Sequence, residues 1–214
     1  MSAFKSRDDD NMGFNVEIEP VVLRGDTVKL VPIQIEHAPD LYESTREIEW
    51  KMLPTNFISS SQMESWIRSK ISERINKTSM HFSVMLAKNE KIVGSTGFMD
   101  ILPEHRILEI GSTWYIPDLW GTAVNPESKF LMLRYAFETL GAIRVQIKTD
   151  SINKHSQGAI KKLGAVYEGK LRNHRIRWDG TIRDTMMYSI IDKEWPAVKA
   201  DLQKRIDNFS LLKF

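Results

Sequence analysis

Residues 109–150, EIGSTWYIPDLWGTAVNPESKFLMLRYAFETLGAIRVQIKTD, read as a strand, a short loop opening a helix, and a second strand. In the loop, Gly121 and Ala123 permit a sharp bend. Asn125 is expected to cap the helix and Pro126 to be its first residue, because an Asn side chain accepts from the first helical amides and proline tolerates the first turn. Amides left free at such a start, backed by the positive end of the helix dipole, suit an anion such as a pyrophosphate. A connection that binds nothing carries the same local signature.

The residues that follow narrow the choice. Phe130, Leu133, Phe137 and Leu140 recur with helical spacing as an apolar stripe, with Lys129, Arg134 and Glu138 expected to face water. Gly141 ends that helix. Ile143, Val145 and Ile147 then alternate with Arg144, Gln146 and Lys148, a strand with one buried face. Asn153 and Ser156 precede an amphipathic helix carrying Ile160 and Leu163, and Gly164 stops it before a further strand from Ala165 to Leu171.

With these residues in place, the chain resembles the GNAT superfamily of acetyl-CoA-dependent N-acetyltransferases, and within it the RimJ/RimL-like group that includes ribosomal-protein N-terminal acetyltransferases. The resemblance runs from about Thr27 to Trp195 and is carried by DLWGTAVNPES, YAFETLGAIRV, TDSINKHSQGAIKKLGAVYEGKLR and RDTMMYSIIDKEW. It implies an α/β fold with a mixed, mostly antiparallel central sheet, splayed at the cofactor site and flanked by helices. The superfamily's pyrophosphate loop usually begins with Gln or Arg three residues before its first glycine. Here that position is Asp118, which opposes a phosphate electrostatically unless it turns away.

The resemblance also implies a site. Acetyl-CoA is expected in a V-shaped opening between the strand ending near Tyr115 and the strand ending near Asp150. Ser112, Thr113, Trp114 and Tyr115 would hold the pantetheine and polarise the carbonyl. Trp120, Gly121, Thr122, Ala123, Val124 and Asn125 would hold the pyrophosphate, and Asn153 would contact the pantetheine arm or else simply form the turn. Amine acetylation needs a base for the amine, donors for an oxyanion and a proton for the departing thiolate. Glu109 is the first candidate base, directly or through a water; otherwise it is a solvent-facing carboxylate paired with an arginine. His174 is the second candidate, with an ordinary pKa suited to the task, or else a surface histidine. Ser156 is placed to serve the thiolate, or to cap its helix. Trp50, Trp66, Trp114 and Trp120 are candidates for an acceptor pocket, or for buried core or interface. Lys170, Arg172, Arg175, Arg177 and Arg183 could attract an acidic substrate or the phosphates of CoA, or form a solvated hairpin.

Composition bounds the rest. The chain has 214 residues, 42% of them hydrophobic, enough for one core. Residues 1–19 are polar and expected to be mobile, and 20–214 to form a single GNAT-like domain. A formal net charge of +2 gives no reason to expect nucleic acid or membrane as partner, and the absence of cysteine excludes disulfides and thiolate ligands. No metal is expected. No apolar run approaches the ~18 residues of a membrane span or forms a signal peptide, so a soluble cytoplasmic protein is the default, with a homodimer left open. Upstream, a strand is expected from Thr27 to Ile33, helices from Glu36 to Glu49 and Ser61 to Ile75, and strands from His81 to Lys88 and Lys91 to Met99 about an Asn89-Glu90 turn. Strands from Leu108 to Tyr115 and Arg183 to Ile191 complete the sheet. The acceptor could be a protein N-terminus, a lysine or a small amine. A non-catalytic acetyl-CoA-binding or protein-interaction member of the same fold is the alternative; a dinucleotide-binding oxidoreductase is disfavoured because G-x-G-x-x-G is absent.

Overall fold

A sheet in which every neighbouring pair but one is antiparallel organises the molecule. In the computed structural model, which describes residues 19–46, 48 and 56–211, its strands are β1 (Leu23–Arg24), β2 (Val28–Pro32), β3 (Met80–Leu86), β4 (Ile92–Leu102), β5 (Ile107–Tyr115), β6 (Arg144–Asp150), β7 (Val166–Ile176) and β8 (Ile182–Ile191). The spatial order is β1-β2-β3-β4-β5-β6-β8-β7. The helices are α1 (Ala38–Glu43), α2 (Ser60–Ile75), α3 (Val124–Arg134), α4 (Lys154–Lys161) and α5 (Trp195–Leu211).

Strand alternation sorts apolar side chains to the two faces. Leu108, Ile110, Val145 and Ile147 meet Phe130 and Leu133 of α3, Ile160 of α4, and Val198, Leu202 and Ile206 of α5. On the opposite face a smaller cluster joins Leu41 of α1, Met63 and Ile67 of α2, Phe57 and Trp114. Each fully buried side chain of this size is worth about 1.5–3 kcal/mol, so the sheet is held from both sides.

The single parallel pair positions the site. Strands β5 and β6 are joined only from Ile107 opposite Arg144 to Ile110 opposite Ile147. Beyond that point residues 111–115 keep β4 alone as neighbour, while residues 148–150 keep β8. The two C-terminal strand ends therefore part, and each leads toward a helix N-terminus, the usual place for a ligand in sheets with parallel strands.

Several expectations are corrected. The helix after the loop starts at Val124 with Ala123 as N-cap, so Asn125 and Pro126 lie inside its first turn. The proline fits there because amides in the first turn lack intrahelical partners anyway. Ser156 likewise lies inside α4, whose N-cap is Asn153. The helix expected from Glu36 is a 3-10 turn, Ile35–His37, followed by the short α1; residues 47 and 49–55, including Trp50, lie outside the described residues. Ile143 precedes β6 and is exposed. The turn between β3 and β4 is wider than two residues, with Leu86 N–H donating to Lys91 O. Of the segment expected to be mobile, only Glu19 is described.

Candidate active site

Glu109 lies one residue before the parting of β5 and β6, paired with Met99 on one side and Gln146 on the other. It is 5% exposed, so it is not the solvent-facing carboxylate considered above. Its cation is a lysine rather than an arginine: Lys148 Nζ stands 2.5 Å from Glu109 Oε2 and 3.0 Å from Asp100 Oδ2. Oε2 is fully buried, and Lys148 stands against it as an ion pair rather than in regular hydrogen-bond geometry. Burial raises the Glu109 carboxyl above the usual carboxylate range, Lys148 opposes the rise, and the Asp100 charge adds to it. A buried carboxylate with a raised pKa can accept a proton.

His174 belongs to the same neighbourhood. Its Nδ1 is 3.1 Å from Thr185 Oγ1. Burial, then Arg175 and Lys148, lower its pKa, so the imidazole is neutral near pH 7. With Lys170, Leu171, Arg172, Asn173 and Asp184 it lines an open groove of about 850 Å³. Three residues of the basic run, however, face carboxylates. Arg177 donates to Asp150 through Nε at 2.7 Å and a second nitrogen at 3.0 Å. Arg183 Nε sits 3.9 Å from the same carboxylate and Lys170 pairs with Asp184 at 3.2 Å. Burial alone would raise the Asp150 carboxyl; Arg177 and the Ile152 N–H hold it below the usual range instead.

The other wall of the opening is α4 and the turn before it. Asn153 Oδ1 accepts the Ser156 N–H at 2.9 Å, so its side chain is committed to the cap. Gln157 donates to the carbonyls of Asp150 and Ser151 and pins α4 to the end of β6. The Ser156 hydroxyl, half-buried, has no partner among the described residues.

On the β5 wall, Gly121 adopts φ +76° in the left-handed region that favours glycine. The N–H groups of Gly121, Ala123 and Asn125 have no protein partner among the described residues, and they precede or open the 11-residue α3. Asp118 is exposed. Three unbonded amides at a helix start can hold a pyrophosphate. Trp120 donates through Nε1 to Tyr115 O at 3.2 Å and stacks on His155 of α4, centroids 4.7 Å apart. It is 48% exposed and bridges the two walls rather than lining a buried pocket. Trp66 and Trp114 do come together, 5.3 Å between centroids, with Phe57 and the buried His81 beside them.

Sequence reasoning missed Lys148 and Asp100, whose partnership with Glu109 exists only once three strands are in register. It also misplaced Lys129. Because α3 packs against β1, β2 and α5, its polar residues Glu127, Ser128 and Lys129 are buried. The Glu127 carboxylate accepts the N–H groups of Asp26, Thr27 and Val28 at 2.9, 2.7 and 2.7 Å. Lys129 Nζ donates to Thr96 and Thr113.

Comparison with known proteins agrees with this fold. The model of the acetyltransferase (GNAT) domain matches residues 27–166. The uncharacterised N-acetyltransferase YoaA of Bacillus subtilis is 28% identical over 136 residues, 64% of this chain and 76% of its own length. A crystal structure of a GCN5-related N-acetyltransferase from Brucella melitensis superposes with a TM-score of 0.80 at 26% identity, covering 88% of this chain and 86% of that one. RimJ of Mycobacterium smegmatis, solved in complex with CoA-disulfide, shares the fold at TM-score 0.74 and 18% identity, over 87% of this chain and 93% of that one.

Proposed function

The chain belongs to the GNAT family and is an N-acetyltransferase, a fold that uses acetyl-CoA and acts on amine acceptors; from that premise we propose direct transfer within a ternary complex, with Glu109 as the base. Acetyl-CoA supplies a thioester carbonyl open to attack and a thiolate as leaving group. Main-chain amides of Ser112, Thr113, Trp114 and Tyr115, on the part of β5 without a β6 partner, donate to the carbonyl oxygen and hold the pantetheine. The amides of Gly121, Ala123 and Asn125 hold the pyrophosphate, with Trp120, Thr122 and Val124 shaping that loop; the cradle suits such a group because its donors are otherwise unused. Asn153 shapes the pantetheine wall through its cap. Glu109 takes the proton from the attacking amine, directly or through a water, and the unpartnered Ser156 hydroxyl donates to the departing thiolate. His174 is the second base, favoured if the acceptor enters by the groove it lines.

The observation that carries this reading is Glu109 itself: a buried carboxylate with a raised pKa, ion-paired to Lys148, at the parting of the only parallel strand pair among the described residues. A protein acceptor of the RimJ/RimL kind is supported by the fold shared with RimJ and by the groove. Residues 20–214 as one catalytic domain, a homodimer and a cytoplasmic location belong to the same reading. Incubation with labelled acetyl-CoA against α-amine peptides, lysine peptides, polyamines and antibiotics, read by mass spectrometry, tests it. Acetylation of one class identifies the acceptor, whereas acetyl-CoA binding without transfer to any amine favours a non-catalytic member.

A further inference from the structure

The hydrogen bonds of Lys129 sit astride an irregularity in β5. Gly97 faces Gly111 and Ser95 faces Trp114, so Thr96 alone stands opposite Ser112 and Thr113. This is a β-bulge, and Ser112 lies in the left-handed region at φ +49°. Such a conformation costs a non-glycine residue about 1–3 kcal/mol and persists only where the surroundings hold it. The bulge also reverses the strand's facing. Before it, Leu108 and Ile110 point toward α3; after it Tyr115 does, while Trp114 joins the cluster beneath α1 and α2.

Lys129 ties both strands at that place. Its Nζ is 2.8 Å from Thr96 Oγ1 and 2.7 Å from Thr113 Oγ1, and the two hydroxyls are 2.8 Å from each other. Among the described residues no carboxylate partners it. Burial without a counter-charge lowers its pKa to about 7, and a neutral amine offers two N–H donors, the number of hydroxyls present, instead of an ammonium's three. A lysine buried this way is expensive for stability alone, since an apolar side chain of the same length would fill the space without that cost.

We propose that Lys129 is a positioning residue for acetyl transfer: by holding the bulge at Ser112 and Thr113, it fixes the direction in which the β5 main-chain amides meet the acetyl carbonyl. This rests on the reading of the β5–β6 opening as the acetyl-CoA site. Lys129 touches neither substrate; it acts through Thr96 and Thr113.

The test separates the carbonyl from the rest of the ligand. CoA keeps the phosphates and pantetheine but lacks the acetyl group, so in calorimetry Lys129→Met should weaken acetyl-CoA more than CoA, whose binding retains the untouched phosphate amides. Turnover should fall about 10²-fold in kcat, the scale for a misplacement of ~1 Å, with little change in KM for the amine. The infrared carbonyl band of bound ¹³C-acetyl-CoA should move back toward its frequency in water. Thr113→Val, which keeps the branched shape, should give the same spectral shift, and the double variant should be no worse than either single change, as for residues acting as one unit. Should Lys129→Met not fold, Thr113→Val and Thr96→Val carry the test alone. Wild-type carbonyl frequency and kcat in folded variants would overturn the inference, whereas failure of the wild-type protein to bind CoA would instead remove the site reading beneath it.

Discussion

At the scale of single residues, the site turns on how a carboxylate is kept inside the sheet. Burying Glu109 is costly, and Lys148 offsets that cost while sharing its charge with Asp100. Replacing Glu109 by Gln should preserve acetyl-CoA binding and cut turnover roughly 10²–10⁴-fold, the range of a positioned proton transfer. The loss should shrink at high pH, where more of the amine is already free. The base works only when ionised, so activity falls as pH drops through its raised pKa. Lys148→Met removes the opposing cation and raises that pKa further, so the acidic limb of kcat/KM should move to higher pH. Because Lys148 also lowers the His174 pKa, that shift alone does not separate the two bases; a limb that persists in Glu109→Gln but vanishes in His174→Gln would transfer the role to His174. The candidates themselves were legible: Glu109 and His174 were found on strands, and Ser156 on the first turn of a helix. Their partners were not, because Glu109, Lys148 and Asp100 stand on three strands and no local pattern pairs them.

At the scale of elements, α3 and the loop before it carry most of the argument. A β-carbon on Gly121 would meet nothing within 4 Å, so Gly121→Asp pays chiefly the left-handed strain of about 1–2 kcal/mol and should fold. Acetyl-CoA at 100-fold excess over Kd should stabilise the wild-type protein by about 2.7 kcal/mol, or roughly 5–10 °C in Tm for this size of chain. Gly121→Asp should lose most of that shift, and an unchanged shift would move the pyrophosphate elsewhere. The same helix anchors the edge of the sheet, since Glu127 serves three amides of the β1–β2 turn. Glu127→Ala strands those donors and should cost about 3–5 kcal/mol in urea denaturation; Glu127→Gln, which still accepts, should cost less. Helix period and glycine stops made α3, α4 and the strands after them legible. The long α5 and the tiny β1 were not: β1 exists only because β2 pairs with it, and α5 was left beyond the closing motif.

At the scale of the whole molecule, two buried bases link stability to pH. Unfolded Lys129 keeps its proton up to an ordinary value of 10.5, whereas burial makes the folded protein release it by about 7. Between those values unfolding takes up a proton, so stability should rise with pH from about 7 toward 10.5 and show no slope from this group below about 7. Lys129→Met should flatten that rise in denaturation curves taken at successive pH. On the acid side, burial holds His81 neutral down to about 3 against an ordinary 6.5, so stability should fall as pH drops between those values. The sequence by itself determined the order of elements from β2 to β8 and the loop that opens α3, because hydrophobic period, glycine stops and turn residues are local signals, while the resemblance implied the helix-flanked mixed sheet. Only the tertiary structure decided that β5 and β6 part after Ile110, that Lys148 rather than an arginine meets Glu109, that Arg177 and Arg183 of the basic run turn to Asp150, and that Lys129 points inward. Each of these is set by which strands become neighbours and by how many sides of a helix are covered, and a polar residue on a doubly covered helix cannot be told from one on a wet face until the packing exists.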